Sequence, residues 1–129
     1  MIDFKRLPYE WQNEMNEAFQ NVNLNEIEMR QNCMTFKFLN SSNGDYLGSI
    51  QCKGVWKILI ESDETLDFPV FICDVHFKEL ERAEILQAFD YMKFGFEVPK
   101  SADCFLLCLE SGEFISFILC EKIEVKRAT

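Results

Sequence analysis

The sequence predicts a single α+β domain with a mainly antiparallel sheet of about five to six strands. The chain has 129 residues, a length that suits one hydrophobic core. Hydrophobic residues make up 48% of it and include 13 Phe, which is enough apolar surface to offset the entropy of folding. Apolar positions change between helical and strand spacing, and hairpin-length connections dominate. We therefore expect residues 1–129 to form one domain, with an N-terminal helix and a second helix between strands.

The first predicted element is an amphipathic helix over residues 9–21. Pro8 suits the first turn of a helix, and apolar residues then follow at helical spacing. The predicted apolar stripe contains Trp11, Met15, Ala18, Phe19 and Val22.

The middle of the chain follows the two-residue period of strands. A strand is predicted from Cys33 to Phe38, and a turn over residues 40–45, which contain an Asn-Gly pair. Beyond the turn, apolar residues keep one phase across Gly54, which predicts one long strand with a bulge or bend, or two short strands. These apolar residues are Ile50, Cys52, Trp56, Ile58 and Ile60.

Three further elements are predicted in the second half of the chain. Residues 70–77 alternate as a half-buried strand, and residues 80–93 return to helical spacing before a stop signal at Gly95. The runs 104–109 and 114–125 are apolar on both faces for much of their length and flank a four-residue turn, which predicts a hairpin in the middle of the sheet. In the strand over 70–77, one face would carry Phe71, Cys73, Val75 and Phe77, and the other Ile72, Asp74 and His76.

The charge of the chain favours a basic protein as its partner. The formal net charge is −9, from 22 acidic and 13 basic residues, which argues against direct binding of nucleic acid. Residues 61–90 carry nine acids and two bases, so this stretch would steer a cationic protein toward itself. The predicted partner-binding residues are Glu61, Asp63, Glu64, Asp67, Asp74, His76, Glu79, Glu81 and Glu84.

The sequence also predicts a cytoplasmic protein that does not bind membranes. Charges interrupt the N-terminal segment where a secretory signal needs an apolar stretch, and no run approaches the roughly 18 apolar residues of a membrane span. The six cysteines lie in hydrophobic, strand-like segments, so we expect reduced core thiols. The sequence does not fix the oligomeric state.

Catalytic chemistry has one candidate residue. His76 is the single histidine, and Asp74 would lie on the same strand face, where it could orient the ring. Cys73 would point to the opposite face, so a nucleophile would have to come from a neighbouring strand. We therefore expect no catalytic activity.

Metal and cofactor sites lack sequence patterns. Cys104 and Cys108 on one strand would be roughly 13 Å apart, too far to share one ion. The acidic loop 63–67 lacks the ligand pattern of an EF-hand, and no glycines form a phosphate-binding loop. We expect no metal and no cofactor.

Two segments, Tyr46–Trp56 and Phe68–Phe77, resemble small acidic immunity proteins of bacterial polymorphic-toxin and contact-dependent inhibition systems, as do the size, acidity and strand-rich layout of the chain. The resemblance implies an immunity protein that binds and neutralises a basic toxin domain such as a nuclease. Acids between Glu61 and Asp90 would then stand in for phosphates. Two alternatives stay open: a structural or adaptor subunit without catalytic activity, and a small enzyme that uses His76.

Overall fold

A computed structural model of the chain describes residues 19–63, 65–81, 83 and 104–128. These residues form one antiparallel sheet of seven strands, curled into a half-barrel. The order of strands across the sheet is β4-β1-β2-β3-β7-β6-β5. The strands are β1 (Val22–Arg30), β2 (Cys33–Asn40), β3 (Tyr46–Ser62), β4 (Val70–Ile72), β5 (Asp74–Glu79), β6 (Phe105–Glu110) and β7 (Phe114–Arg127).

The predicted α+β class is wrong. Strands account for 72% of the described residues and a helical conformation for 1%, and this part of the chain contains no helix. The predicted helices over 9–21 and 80–93 lie largely outside the described residues; residues 19–21 and 80–81 are turn or loop, and Ala83 alone among the described residues is helical. Phe19 and Val22 are three residues apart, a spacing that also occurs on one face of a helix. Here Phe19 is a turn residue and Val22 begins β1, and both are buried in the same core. No helix in the described part is long and apolar enough to cross a membrane.

The predicted strands in the middle of the chain are confirmed. β2 covers the predicted segment, and residues 41–45 connect it to β3. β3 is one long strand, and its pairing with β7 shifts register between Val55 and Lys57. The N–H groups of Gly54 and Val55 both donate to the carbonyl oxygen of Asn32 in the β1–β2 turn, over 3.0 and 3.2 Å. This shared acceptor fixes the predicted bulge beside the turn.

The two edges of the sheet are adjacent in sequence. β4 pairs with β1 and β5 pairs with β6, and a single residue, Cys73, separates β4 from β5. The Cys73 N–H donates to the carbonyl oxygen of Glu110 over 2.9 Å, and the Cys73 carbonyl accepts from the N–H of Asn21 over 3.1 Å. One residue therefore bridges both edges and draws the sheet into its curl.

The continuous strand predicted over 70–77 is wrong, because Cys73 divides this segment into β4 and β5. Ile72 and Val75 are both fully buried, whereas Phe71 is 45% exposed, so the buried phase changes at Cys73. The two halves of the segment belong to different strand pairs, and each half has its own orientation toward the core.

The core lies on one face of the sheet and draws residues from every strand. The β6–β7 hairpin is buried on its other face as well, as its sequence predicts, since Leu106, Cys108, Phe117 and Leu119 are at most 3% exposed. The core cluster comprises Phe19, Val22, Leu24, Met34, Phe36, Phe38, Ile50, Cys52, Ile72, Val75, Leu107, Leu109, Phe114, Ile118 and Cys120.

Candidate functional site

An acidic hollow lies where the end of β3 meets the turn between β6 and β7. Its volume is about 540 Å³, and its lining includes four carboxylates. Among the described residues, no Lys, Arg or His lines it. We call this feature the acidic hollow; its carboxylates are those of Glu61, Asp63, Glu110 and Glu113.

Main-chain pairing positions these carboxylates. Ile115 of β7 is the register partner of Glu61 in β3 and of Glu110 in β6, so these three residues form a row across the sheet. The N–H of Asp63 donates to the carbonyl oxygen of Glu113 over 2.9 Å, which ties the end of β3 to the turn. Main-chain contacts therefore set the shape of the hollow, and the carboxylate side chains supply its negative charge.

A second hollow, of about 400 Å³, shares one wall with the first. Its lining includes Leu66, Asp67 and Phe71, and it shares residues 111–114 with the acidic hollow. Leu66, Phe68 and Phe71 are 38%, 40% and 45% exposed. Leu66 and Phe71 line this second hollow, and Phe68 lies between them in sequence. Single exposed apolar side chains are common, but three on one short segment make an exposed apolar stretch. We call these three residues the apolar rim.

Several ion pairs of lysines lie away from the acidic hollow. Lys37 contacts Glu26 and Glu28, and Lys53 and Lys122 contact Glu124, with nitrogen–oxygen distances of 3.1 to 3.6 Å. Hydrogen bonds from Lys53 and Lys122 lower the pKa of Glu124. These acids are neutralised by neighbouring lysines, whereas the described lining of the acidic hollow offers no lysine.

A group of three side chains adjoins the acidic hollow. Asp74 and His76 lie on one face of β5, and Glu110 of β6 is the register partner of Asp74. His76 Nε2 and a Glu110 carboxylate oxygen are 3.7 Å apart, and the His76 side chain is 16% exposed. One donor atom from each of the three residues lies within 4.8 Å of the others. Asp74 and His76 thus share one strand face, as predicted, and Glu110 joins them from the neighbouring strand.

The structure separates the predicted site residues into groups. Glu61 and Asp63 line the acidic hollow, Asp67 lines its neighbour, and Asp74 and His76 adjoin Glu110. Glu79 ends β5 opposite Phe105, about 16 Å along the strand from Asp74, and Glu81 lies beyond it. Glu64 and Glu84 are outside the described residues.

Sequence reasoning missed Glu110 and Glu113. They flank Ser111 and Gly112, where the sequence indicates only a hairpin turn. One acid on each side of a tight turn was the only sequence pattern that could have pointed to them. Their closeness to Glu61 depends on strand pairing across some fifty residues of sequence.

The register also brings a thiol to the single histidine. Cys108 is the register partner of His76, so both side chains share one sheet face. Cys108 is only 3% exposed, which leaves no approach for a substrate carbonyl. This arrangement therefore does not favour nucleophilic catalysis.

Comparison with known proteins places the chain in a family and supports the fold. Residues 17–127 match the model of one protein family. Because the match spans most of the chain, the chain belongs to this family. The structure is similar to the crystal structure of an uncharacterized protein from Neisseria gonorrhoeae, with a TM-score of 0.60 and 21% sequence identity. The likeness covers 84% of this chain and 92% of that chain, and it establishes a shared fold. No curated protein matches the sequence.

Proposed function

We propose that this protein binds a basic protein and that the acidic hollow with its apolar rim is the contact surface. The observation that carries the proposal is the set of four carboxylates around one hollow whose described lining contains no basic residue. Such an arrangement is complementary to Lys and Arg side chains of a partner.

At this surface the carboxylates would govern the rate of association, and the apolar rim would contribute to the affinity. Clustered carboxylates raise the rate of encounter with a cationic partner, and this effect weakens as salt increases. The apolar rim would supply contact area, because buried aromatic and aliphatic anchors carry much of the affinity of protein interfaces. Each buried Å² of apolar surface contributes roughly 25 cal/mol before the costs of association.

In its more specific form, the proposal is that of an immunity protein that neutralises a basic toxin domain in the cytoplasm. The acidic hollow supports it because carboxylates can occupy positions in a nuclease site that otherwise hold phosphates. The six cysteines are free thiols, a state that suits a reducing compartment. Catalytic activity is not part of the proposal.

The test compares two triple variants with equal change of net charge. In the hollow variant, Glu61, Asp63 and Glu113 are each changed to Lys; in the control variant, the exposed residues Asp45, Glu79 and Glu121 are changed to Lys. A partner is captured on the wild-type protein from the source cell's lysate at low and moderate salt, identified by mass spectrometry and purified. Association rates are then measured for the purified pairs.

We expect the association rate to fall at least about tenfold for the hollow variant and to change much less for the control. Equal rates for the two variants would exclude the acidic hollow as the contact surface. For the immunity role, an equimolar amount of wild-type protein should abolish the activity of the captured partner. A partner that stays active when saturated would contradict that role and favour an adaptor subunit.

A further inference from the structure

We infer that Asp74, His76 and Glu110 form a binding site for one divalent transition-metal ion. The site would use a carboxylate oxygen of Asp74, an imidazole nitrogen of His76 and a carboxylate oxygen of Glu110, which all lie within 4.8 Å of one another. The inference goes beyond the proposed binding of a basic protein and does not depend on it.

The sheet holds the three donors in place. Side chains two residues apart in a strand share one face, which puts Asp74 and His76 side by side on β5. Glu110 is paired directly with Asp74 on the neighbouring strand, at the distance where cross-strand side chains meet. Ligands carried by paired strands are more accurately positioned than ligands on loops.

The separation of the His76 and Glu110 donors fits a shared ion better than a hydrogen bond. At 3.7 Å, their nitrogen and oxygen are too far apart for a good hydrogen bond. Two atoms bound to one zinc ion at about 2.0–2.2 Å each, in tetrahedral geometry, are roughly 3.4 Å apart. A displacement of a few tenths of an ångström would therefore bring both donors to an ion between them.

The chemistry of the donors indicates the class of metal. One imidazole with two carboxylates suits zinc, manganese, iron or cobalt in the divalent state, since the imidazole disfavours magnesium and calcium. His76 is largely buried and Glu110 is 35% exposed, so the ion would be partly shielded from water. Glu110 also lines the acidic hollow, so the site would adjoin that hollow.

Binding of Zn²⁺ to the full chain, measured by isothermal titration calorimetry, tests the inference. The ligand variants are Asp74→Asn, His76→Gln and Glu110→Gln. Glu113→Gln is the control in the same hollow and Glu79→Gln the control on the same strand. Cys73→Ser is a third control, because this partly exposed thiol precedes Asp74 and thiolates in general bind zinc.

We expect one equivalent of Zn²⁺ to bind the wild type, each ligand variant to bind at least about tenfold more weakly, and the three controls to bind as the wild type does. Co²⁺ should give a visible spectrum without a thiolate charge-transfer band. No saturable Zn²⁺ binding, or binding lost in Cys73→Ser and kept in Glu110→Gln, would overturn the inference.

Two further measurements keep the outcome interpretable. Circular dichroism of each variant verifies folding, and Glu110→Gln, an isosteric change at a partly exposed position, gives a reading even if His76→Gln fails to fold. The variant with Lys at positions 61, 63 and 113 keeps all three ligands and should still bind one equivalent of Zn²⁺. Partner binding and Zn²⁺ binding are thus tested by different substitutions, so failure of one proposal is distinguishable from failure of the other.

Discussion

The N–H of Asp63 donates a hydrogen bond to the carbonyl oxygen of Glu113, and the two atoms are 2.9 Å apart. This bond fixes the end of β3 beside the β6–β7 turn, so the main chain brings two carboxylates to one hollow. Their side chains take no part in the bond. The charges at the hollow can therefore be altered without removing the contact that shapes it.

Glu113→Gln should increase the free energy of unfolding at low salt. The change removes one of four like charges around the hollow, and we expect a gain on the order of 0.2–1 kcal/mol. The gain should shrink at roughly 0.5 M salt, where charges are screened over a few ångströms. Denaturant unfolding at both ionic strengths measures it, with Glu121→Gln as the control outside the hollow. An equal effect of the two substitutions would show that the hollow carries no special repulsion.

Local patterns were sufficient for part of the fold. The period of two in β2, the Asn-Gly turn and Gly54 in β3 each carry a local signal, and the structure confirms the elements that they predict. The β6–β7 hairpin was predictable because both strands are apolar on both faces next to the short turn that joins them. These features depend on neighbours in sequence.

The remainder depends on contacts between distant segments. β1 was not predicted because it contains Asn23, Asn25, Glu26 and Glu28, and its middle is largely exposed. The change of partner at Cys73 leaves no local trace, since it is set by pairing with β1 on one side and β6 on the other. For the same reason the acids near position 61 could be proposed as a group, while Glu110 and Glu113 could not.

Gly48→Ala should destabilise the protein by at least about 1–3 kcal/mol. Gly48 has a φ of +137°, and a Cβ atom there would overlap the backbone carbonyl oxygen of Lys126 in β7. The backbone of one of two paired strands would have to move. Gly112→Ala is the matched control, because a Cβ at that turn position meets open space. Denaturant midpoints would contradict this account if the two variants were equally stable.

Phe38→Ala should cost about 3–5 kcal/mol, because it removes a fully buried ring from the core. The ring also contacts Phe19, with centroids 4.8 Å apart and planes tilted by 32°. Phe38→Leu should cost less, since it keeps much of the buried volume. Phe71→Ala, at an exposed position, serves as the control and should change stability little. A small loss for Phe38→Ala in urea unfolding would place Phe38 outside the core.

Alkylation of the native protein should modify Cys33 and Cys73 well before the other four cysteines. Those two are partly exposed, whereas Cys52, Cys104, Cys108 and Cys120 are buried. A hydrogen bond to Cys120 and burial raise the pKa of the Cys52 thiol, which further suppresses the reactive thiolate. Peptide mapping after a short iodoacetamide pulse would show the order. Early labelling of Cys52 would mean that the core opens readily, and denatured protein supplies the reference in which all six react.

Stability should decline as the pH rises above 9, and Cys104 should contribute to the decline. Burial, with a smaller effect from Cys120, raises the pKa of Cys104 from the ordinary 9.0 to about 12. A thiol whose pKa is higher in the folded state stabilises that state fully below pH 9.0, and the contribution is lost as the pH approaches 12. Between these values one bound proton changes the free energy of unfolding by about 1.4 kcal/mol per pH unit.

Cys104→Ala should therefore have a shallower loss of stability between pH 9 and the upper limit of measurement. The comparison is made by denaturant unfolding at several pH values in the presence of reductant. Cys33→Ala is the matched control, because it removes a thiol that is partly exposed and not buried. The same slope in Cys104→Ala and wild type would show that this thiol titrates alike in the folded and unfolded chain. A slope reduced in Cys104→Ala and not in Cys33→Ala would assign that part of the base sensitivity to Cys104.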